Sequence, residues 1–128
     1  MLGLGVGIAG AIGAMARFWI DGLIRRRREE TLPVDTLVIN VTGSLLLGVL
    51  TGLTLYHGLA ADTKTVLGTG FCGGYTTFSS FSLQTLNLMN DGEWLGAGGN
   101  ILFSVALCLL AVWAGHMIAS NLNALKWT

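Results

Sequence analysis

Four apolar stretches, each longer than twenty residues, divide this sequence and constrain its fold more than any other feature. They cover residues 2–24, 34–56, 65–89 and 94–119. A helix needs about 20 apolar residues to cross the ~30 Å hydrocarbon core of a bilayer. The pattern therefore predicts an all-α membrane protein with four transmembrane helices, folded as a single domain over residues 1–128.

The composition supports a lipid environment and argues against other classes. The chain is 52% hydrophobic and 11% charged, whereas soluble domains carry about 25% charged residues. Seven basic and seven acidic residues cancel, so no basic surface for nucleic acid is expected. Cys72 and Cys108 lie in apolar runs without the spacing of a metal site. Arg25 to Arg28 favour a cytoplasmic first loop, although Lys64 and Lys126 on the opposite side weaken this bias.

The third apolar stretch contains features that disfavour a continuous helix. Gly73 and Gly74 are followed closely by the β-branched pair Thr76 and Thr77, and both kinds of residue are poor in helix interiors. The distance from Thr65 to the glycines is about 12 Å along a helix, close to the ~15 Å depth of the midplane. We therefore predict that the third helix is broken near mid-bilayer, at the glycines. Backbone freed there must pair with protein, a cavity or an ion.

Two other stretches carry polar side chains at helical spacing. Asn40 has Thr36 one turn before it and Ser44 one turn after it. On the last stretch Asn100, Ser104 and Cys108 form a second stripe. A single buried amide often only links helices, but intramembrane polar groups also mark ion pathways. Two stripes on two helices favour a polar path.

Aromatic and hydroxyl groups alternate after the predicted break. Phe78 and Phe81 share one helix face, and their neighbours are mostly serines and threonines. Paired aromatics usually pack in a core, yet these rings have polar neighbours, and a ring edge carries partial positive charge. Neutral donors without a fixed cation suit a small anion better than a metal cation.

Arg17 and Asp21 are the charged pair inside the first stretch. They lie one turn apart, so they can pair and extend towards the interface. They serve either as an interfacial anchor or as a vestibule charge that attracts anions.

Three segments resemble the signatures of the Fluc (CrcB) fluoride channels. They are Gly-Ala-Met-Ala-Arg17, Asn40-Val-Thr-Gly-Ser44, and the run from Gly70 to Ser82 that contains Gly73-Gly74-Tyr-Thr76-Thr77-Phe78. The resemblance extends over all four stretches. It implies an antiparallel, dual-topology homodimer in the cell membrane, with two fluoride pores and one central structural sodium ion. Its function would be passive, selective fluoride export that protects the cytoplasm.

The resemblance also implies roles for individual residues. The sodium ligands would be the backbone carbonyls of Gly73 and Thr76, and Arg17 and Thr36 would line a vestibule. The fluoride pore would contain Asn40, Thr77, Phe78, Ser79, Ser80, Phe81, Asn100 and Ser104, with Cys108 at the end of the last polar stripe.

Other functions fit the sequence less well. A proton-coupled small multidrug exporter needs a carboxylate deep in the membrane, whereas every acidic residue lies at a span end or in a loop. An intramembrane hydrolase built on Ser44 and His116 lacks a nucleophile motif, and we expect no enzyme. A structural subunit leaves the polar third stretch unexplained. A pore for neutral solutes is the remaining alternative to an ion channel.

Overall fold

The protein is almost entirely helical in the part of the chain that its computed structural model describes, residues 1–26 and 33–122. Arg27, Arg28 and Lys126, which contribute to the predicted charge bias, lie outside these ranges. Three long helices, α1 (Leu2–Arg25), α2 (Val34–His57) and α5 (Trp94–Asn121), are long and apolar enough to cross a membrane. They correspond to the first, second and fourth apolar stretches.

The third apolar stretch folds as two shorter helices. The first, α3, is a continuous helical run over residues 61–75, composed of Ala61–Lys64, a wider π-helical part at Thr65–Cys72, and Gly73–Tyr75. The second, α4, is Phe78–Asn90. Between them Thr76 (φ −78°, ψ 161°) and Thr77 (φ −147°, ψ 117°) are extended.

The extended residues are Thr76 and Thr77, whereas the sequence predicted the break at Gly73 and Gly74 themselves. Both glycines are helical, and Gly74 has a packing role because a Cβ there would overlap the carbonyl of Gly10 on α1. Threonine tolerates extended backbone well because it is β-branched. In addition, the Thr77 side chain accepts a hydrogen bond from the Ser80 amide at 3.2 Å and so caps α4.

Small residues hold the helices together in two close pairs. α2 packs along α5, where a Cβ on Gly48 or Gly115 would overlap the backbone of the opposite helix. α1 packs along α3, where Gly13 meets the Phe71 carbonyl in the same way. Such contacts allow helices to approach closely in lipid. α4 contacts mainly α5, and its first residue, Phe78, keeps 78% of its surface exposed.

Candidate functional site

Asn40 on α2 binds the extended backbone between α3 and α4. Its Nδ2 donates to the Thr77 carbonyl at 3.0 Å, and its Oδ1 accepts from the Thr77 amide at 2.8 Å. One side chain thus satisfies both polar groups of a residue that has left the helix. Without such a partner, buried backbone groups carry a desolvation cost of about 1–3 kcal/mol each.

The interruption redirects two amides away from their helical acceptors. In a continuous helix each N–H donates to the carbonyl four residues earlier. The Thr77 amide would therefore bond the Gly73 carbonyl, but it donates to Asn40. Likewise the Ser80 amide, the helical donor for the Thr76 carbonyl, donates to the Thr77 hydroxyl. The two carbonyls predicted to bind sodium are therefore among those that lack a helical donor at this interruption.

A groove of about 380 Å³ runs beside the interruption and is lined by α2, α3, α4 and α5. It contains both predicted sodium residues and five predicted pore residues. The rings of Phe78 and Phe81 lie with centroids 5.6 Å apart and planes tilted by 44°. The predicted residues in the groove are Asn40, Gly73, Thr76, Thr77, Phe78, Phe81 and Ser104, together with Ser44 and Cys108.

A ladder of hydrogen bonds joins α4 to the polar stripe on α5. The Asn100 Nδ2 donates to the Thr85 hydroxyl at 2.8 Å, and the Ser104 hydroxyl lies 3.4 Å from Asn100 Oδ1. Thr85 in turn donates to the Phe81 carbonyl at 2.8 Å. Asn100 lies outside the groove and lines a neighbouring apolar cavity of about 500 Å³. Sequence reasoning did not single out Thr85, although it lies one turn after Phe81.

A smaller cavity of about 160 Å³ brings together the predicted vestibule residues Arg17 and Thr36. Thr77 and Ser80 line it on the α4 side, so the predicted pore residue Ser80 faces this cavity rather than the groove. Ser79 is exposed and borders none of the three cavities; its hydroxyl lies 3.1 Å from that of Thr77.

The charge pairing on α1 differs from the predicted one. Asp21 accepts from Arg25 Nε at 3.1 Å, and within residues 1–26 and 33–122 no ion pair joins it to Arg17. Arg25 is also one turn from Asp21, and an acidic residue on the N-terminal side of its basic partner is the favoured order. Arg25 further contacts Asp35 at 3.0 Å.

The residues considered for other chemistries do not form the required sites. Ser44 lines the groove, whereas His116 Nε2 lies 3.1 Å from the hydroxyl of Tyr56. Tyr56 is about 18 Å along α2 from Ser44 at ~1.5 Å per residue, so serine and histidine cannot act together. Asp35 is buried, but it occupies the first turn of α2 and is paired with Arg25. It does not provide the mid-membrane carboxylate that an exporter needs.

Comparison with known proteins places the chain in a family. The family described as CrcB-like protein, Camphor Resistance (CrcB), matches residues 4–116. The chain belongs to the CrcB family. As a member whose described residues include three helices that can cross a membrane, it is a multi-pass protein of the cell membrane.

Relatives of this CrcB family member match nearly its whole length. A protein of Opitutus terrae named "Fluoride-specific ion channel FluC" is 48% identical over 124 residues, 94% of each chain. Proteins of the same name from Methylocella silvestris and Paramagnetospirillum magneticum are 48% and 49% identical, and each match covers at least 92% of both chains. The resemblance noted from the three sequence segments is therefore confirmed at the level of the family.

Proposed function

We propose that this protein is a fluoride-selective ion channel that lets fluoride leave the cell passively and so protects the cytoplasm. One observation carries the proposal. The groove gathers an amide, hydroxyls and two tilted aromatic rings beside an interrupted helix, in a chain whose relatives are named fluoride-specific channels. The protein is then a pore and not an enzyme.

The chemistry of the groove suits a small anion that holds water strongly. Among the described residues that line it, the polar groups are neutral. A fixed cation would hold the anion by roughly 4 kcal/mol at 4 Å for an effective dielectric constant of 20. Neutral donors replace water while still allowing the ion to leave.

Asn40 can serve the path while it holds the interruption. Its amide nitrogen carries two hydrogens, and Thr77 uses one of them. The other remains for an ion in the groove, which Asn40 lines. Phe78 and Phe81 offer their ring edges to the same ion, and Ser104 adds a hydroxyl.

The interruption divides the third transmembrane segment near mid-bilayer. From Thr65 to Thr76 the chain rises about 17 Å, and from Phe78 to Asn90 about 18 Å, at ~1.5 Å per residue. The extended residues then lie at a depth of about half the ~30 Å core. Backbone at that depth is tolerated where protein or a cavity covers it.

An antiparallel, dual-topology homodimer would cover this face. Phe78 at the start of α4 is exposed in the single chain, and Gly73 is exposed with nothing within 4 Å of a Cβ built on it. Polar backbone and aromatic rings on an exposed face at mid-bilayer need a second protein surface. A second copy related by a twofold axis in the membrane plane supplies one and yields two equivalent paths.

A structural sodium ion fits the freed carbonyls of Gly73 and Thr76. Hard cations prefer oxygen ligands, and these carbonyls have lost their helical donors to Asn40 and Thr77. Two carbonyls cannot complete a cation shell, but a twofold axis would double them to four. The ion would hold the two copies together beside the anion paths.

The small cavity would form the vestibule through which the anion approaches. Arg17 supplies a positive charge, and the hydroxyls of Thr36 and Ser80 lead from it towards Thr77 at the interruption. Ser79 and Asn100 remain assigned to the path only by family resemblance.

Growth of a fluoride-sensitive bacterium that lacks its own fluoride exporter tests the function in cells. Expression of this chain should restore growth in fluoride medium, and Phe78→Ile at equal membrane abundance should not. No rescue by the unaltered chain would reject the proposal, and equal rescue by Phe78→Ile would show that the path does not run past that ring.

A further inference from the structure

Asp35 is a buried carboxylate that three helices share. It lies in the first turn of α2 and is 7% exposed. Arg25 at the end of α1 contacts it through Nη2 at 3.0 Å and Nε at 3.1 Å. From α4, Gln84 donates to its other oxygen at 3.4 Å. Asp35 therefore has a fixed position relative to all three helices.

Arg25 contacts two carboxylates at once. Its Nε lies 3.1 Å from Asp21 as well as from Asp35. Arg17, Asp21 and Arg25 follow one another at four-residue spacing, so they share one face of α1. All three line the vestibule cavity, and Asp35 lies directly behind Arg25.

The charges around this cavity cancel among the described residues. Arg17 and Arg25 contribute two positive charges, and Asp21 and Asp35 contribute two negative ones. If Asp35 were neutral, the same cavity would carry one net positive charge. Clefts lined by one sign of charge can raise the association rates of oppositely charged ligands by about 10–10³-fold, and a single net charge beside Asp21 acts in the same direction but more weakly. The carboxylate therefore removes an attraction that the two arginines would otherwise exert on an anion.

We propose that Asp35 sets how readily an anion enters the pore by neutralising Arg25 at the vestibule. This inference rests on the proposed fluoride channel. Asp35 touches no part of the groove and acts through Arg25, so it is a positioning residue that tunes the local charge. Because ionised Asp35 removes the net positive charge, the vestibule admits fluoride without binding it tightly, but it captures fluoride more slowly at low concentration.

Single-channel recording in planar bilayers at low fluoride, where capture limits the current, tests this role. At about 0.03 M total salt, Asp35→Asn should raise fluoride conductance by roughly threefold or more, and Arg25→Gln should lower it similarly. The double variant R25Q/D35N restores the charge balance, so its fluoride conductance should be close to that of the unaltered channel. The matched control is Asp91→Asn, because Asp91 is exposed on the turn that follows α4; its conductance should stay unchanged.

Salt separates a charge effect from a structural one. The screening length falls from about 10 Å at 0.1 M to about 3 Å at 1 M, so the differences between variants should shrink strongly at ~1 M salt. If both single variants lower conductance and the double variant does not recover, or if salt leaves the differences unchanged, the role of Asp35 is overturned. If the unaltered chain conducts fluoride and D35N has the same conductance and the same salt dependence, this inference alone is overturned. An unaltered chain without fluoride current overturns the proposed function as well.

Discussion

Asn40 and Thr77 are joined by two reciprocal hydrogen bonds, 3.0 and 2.8 Å long, that link the middle of α2 to the gap between α3 and α4. The side-chain amide supplies the hydrogen-bond donor and acceptor that the backbone of a helix turn or of a neighbouring strand would otherwise supply. Because the Thr77 amide is used there, the Gly73 carbonyl loses its helical donor. The same contact therefore stabilises the interruption and exposes the backbone proposed to bind a cation.

Asn40→Asp should abolish most fluoride flux. The substitution keeps an acceptor for the Thr77 amide but removes the donor to its carbonyl, and it adds a negative charge beside the groove. Repulsion of roughly 4 kcal/mol at 4 Å exceeds the 1.4 kcal/mol that a tenfold loss requires, so we expect a loss above about tenfold. Flux from liposomes measures it, and size-exclusion chromatography checks that the proposed dimer persists. Asn87→Asp on the exposed end of α4 is the control; equal losses in both variants would contradict the assignment.

Phe78→Ile should lower fluoride flux severely while folding and assembly persist. Phe78 is 78% exposed in the single chain, so its ring contributes little to the internal packing of that chain. Its loss removes the ring edge from the path. Trp113→Leu provides a control, because Trp113 is 62% exposed on α5 and lines none of the three cavities. If Phe78→Ile conducts like the unaltered chain, the path lies elsewhere.

Gly74→Ala and Gly73→Ala should have different consequences although the two residues are neighbours: the first should destabilise the fold and the second the proposed dimer. A Cβ at Gly74 would overlap the backbone of Gly10, whereas nothing lies within 4 Å of one at Gly73. We expect Gly74→Ala to reduce the free energy of unfolding by about 1–3 kcal/mol. Gly73→Ala should leave the fold intact and weaken the dimer, since that position faces the proposed partner. Gly98→Ala, also in open space, is the control for adding a methyl group.

Sodium should stabilise the assembled protein. A ligand that binds only the native state raises stability as RT ln(1 + [L]/Kd), so the thermal midpoint should rise with sodium concentration. Choline chloride at equal ionic strength should not produce this rise. An experimental structure should also contain a cation beside the Gly73 and Thr76 carbonyls. Identical midpoints in sodium and choline, with no cation at that position, would exclude the site.

The apolar segments could be predicted from the sequence because helix length and hydropathy are local properties. The contacts that define the site are not local. Asn40 could be recognised as a buried amide, but its partner is the backbone of Thr77, 37 residues away. Because this contact is not visible in the local sequence, helix propensity alone placed the interruption at Gly73 and Gly74. Both glycines are helical, and Gly74 instead allows a close contact with Gly10 on α1, where a Cβ would overlap the Gly10 carbonyl.

The charge pairing was only partly a local property of the sequence. The spacing of Arg17 and Asp21 permitted a pair, but Arg25 had the same spacing from Asp21 and the favoured order. Contact with Asp35 across the first loop then fixes the Arg25 position. Residues on different helices meet only after packing, so neither this cluster nor the Thr85–Asn100 bond could be read from one helix.

Fluoride efflux from liposomes tests the central claim most directly. Purified protein should be reconstituted into vesicles loaded with equal concentrations of potassium fluoride and potassium chloride, with valinomycin added to relieve the membrane potential. The account predicts rapid fluoride release, detected by a fluoride electrode, with chloride retained. Equal release of both anions, or release of neither, would contradict it.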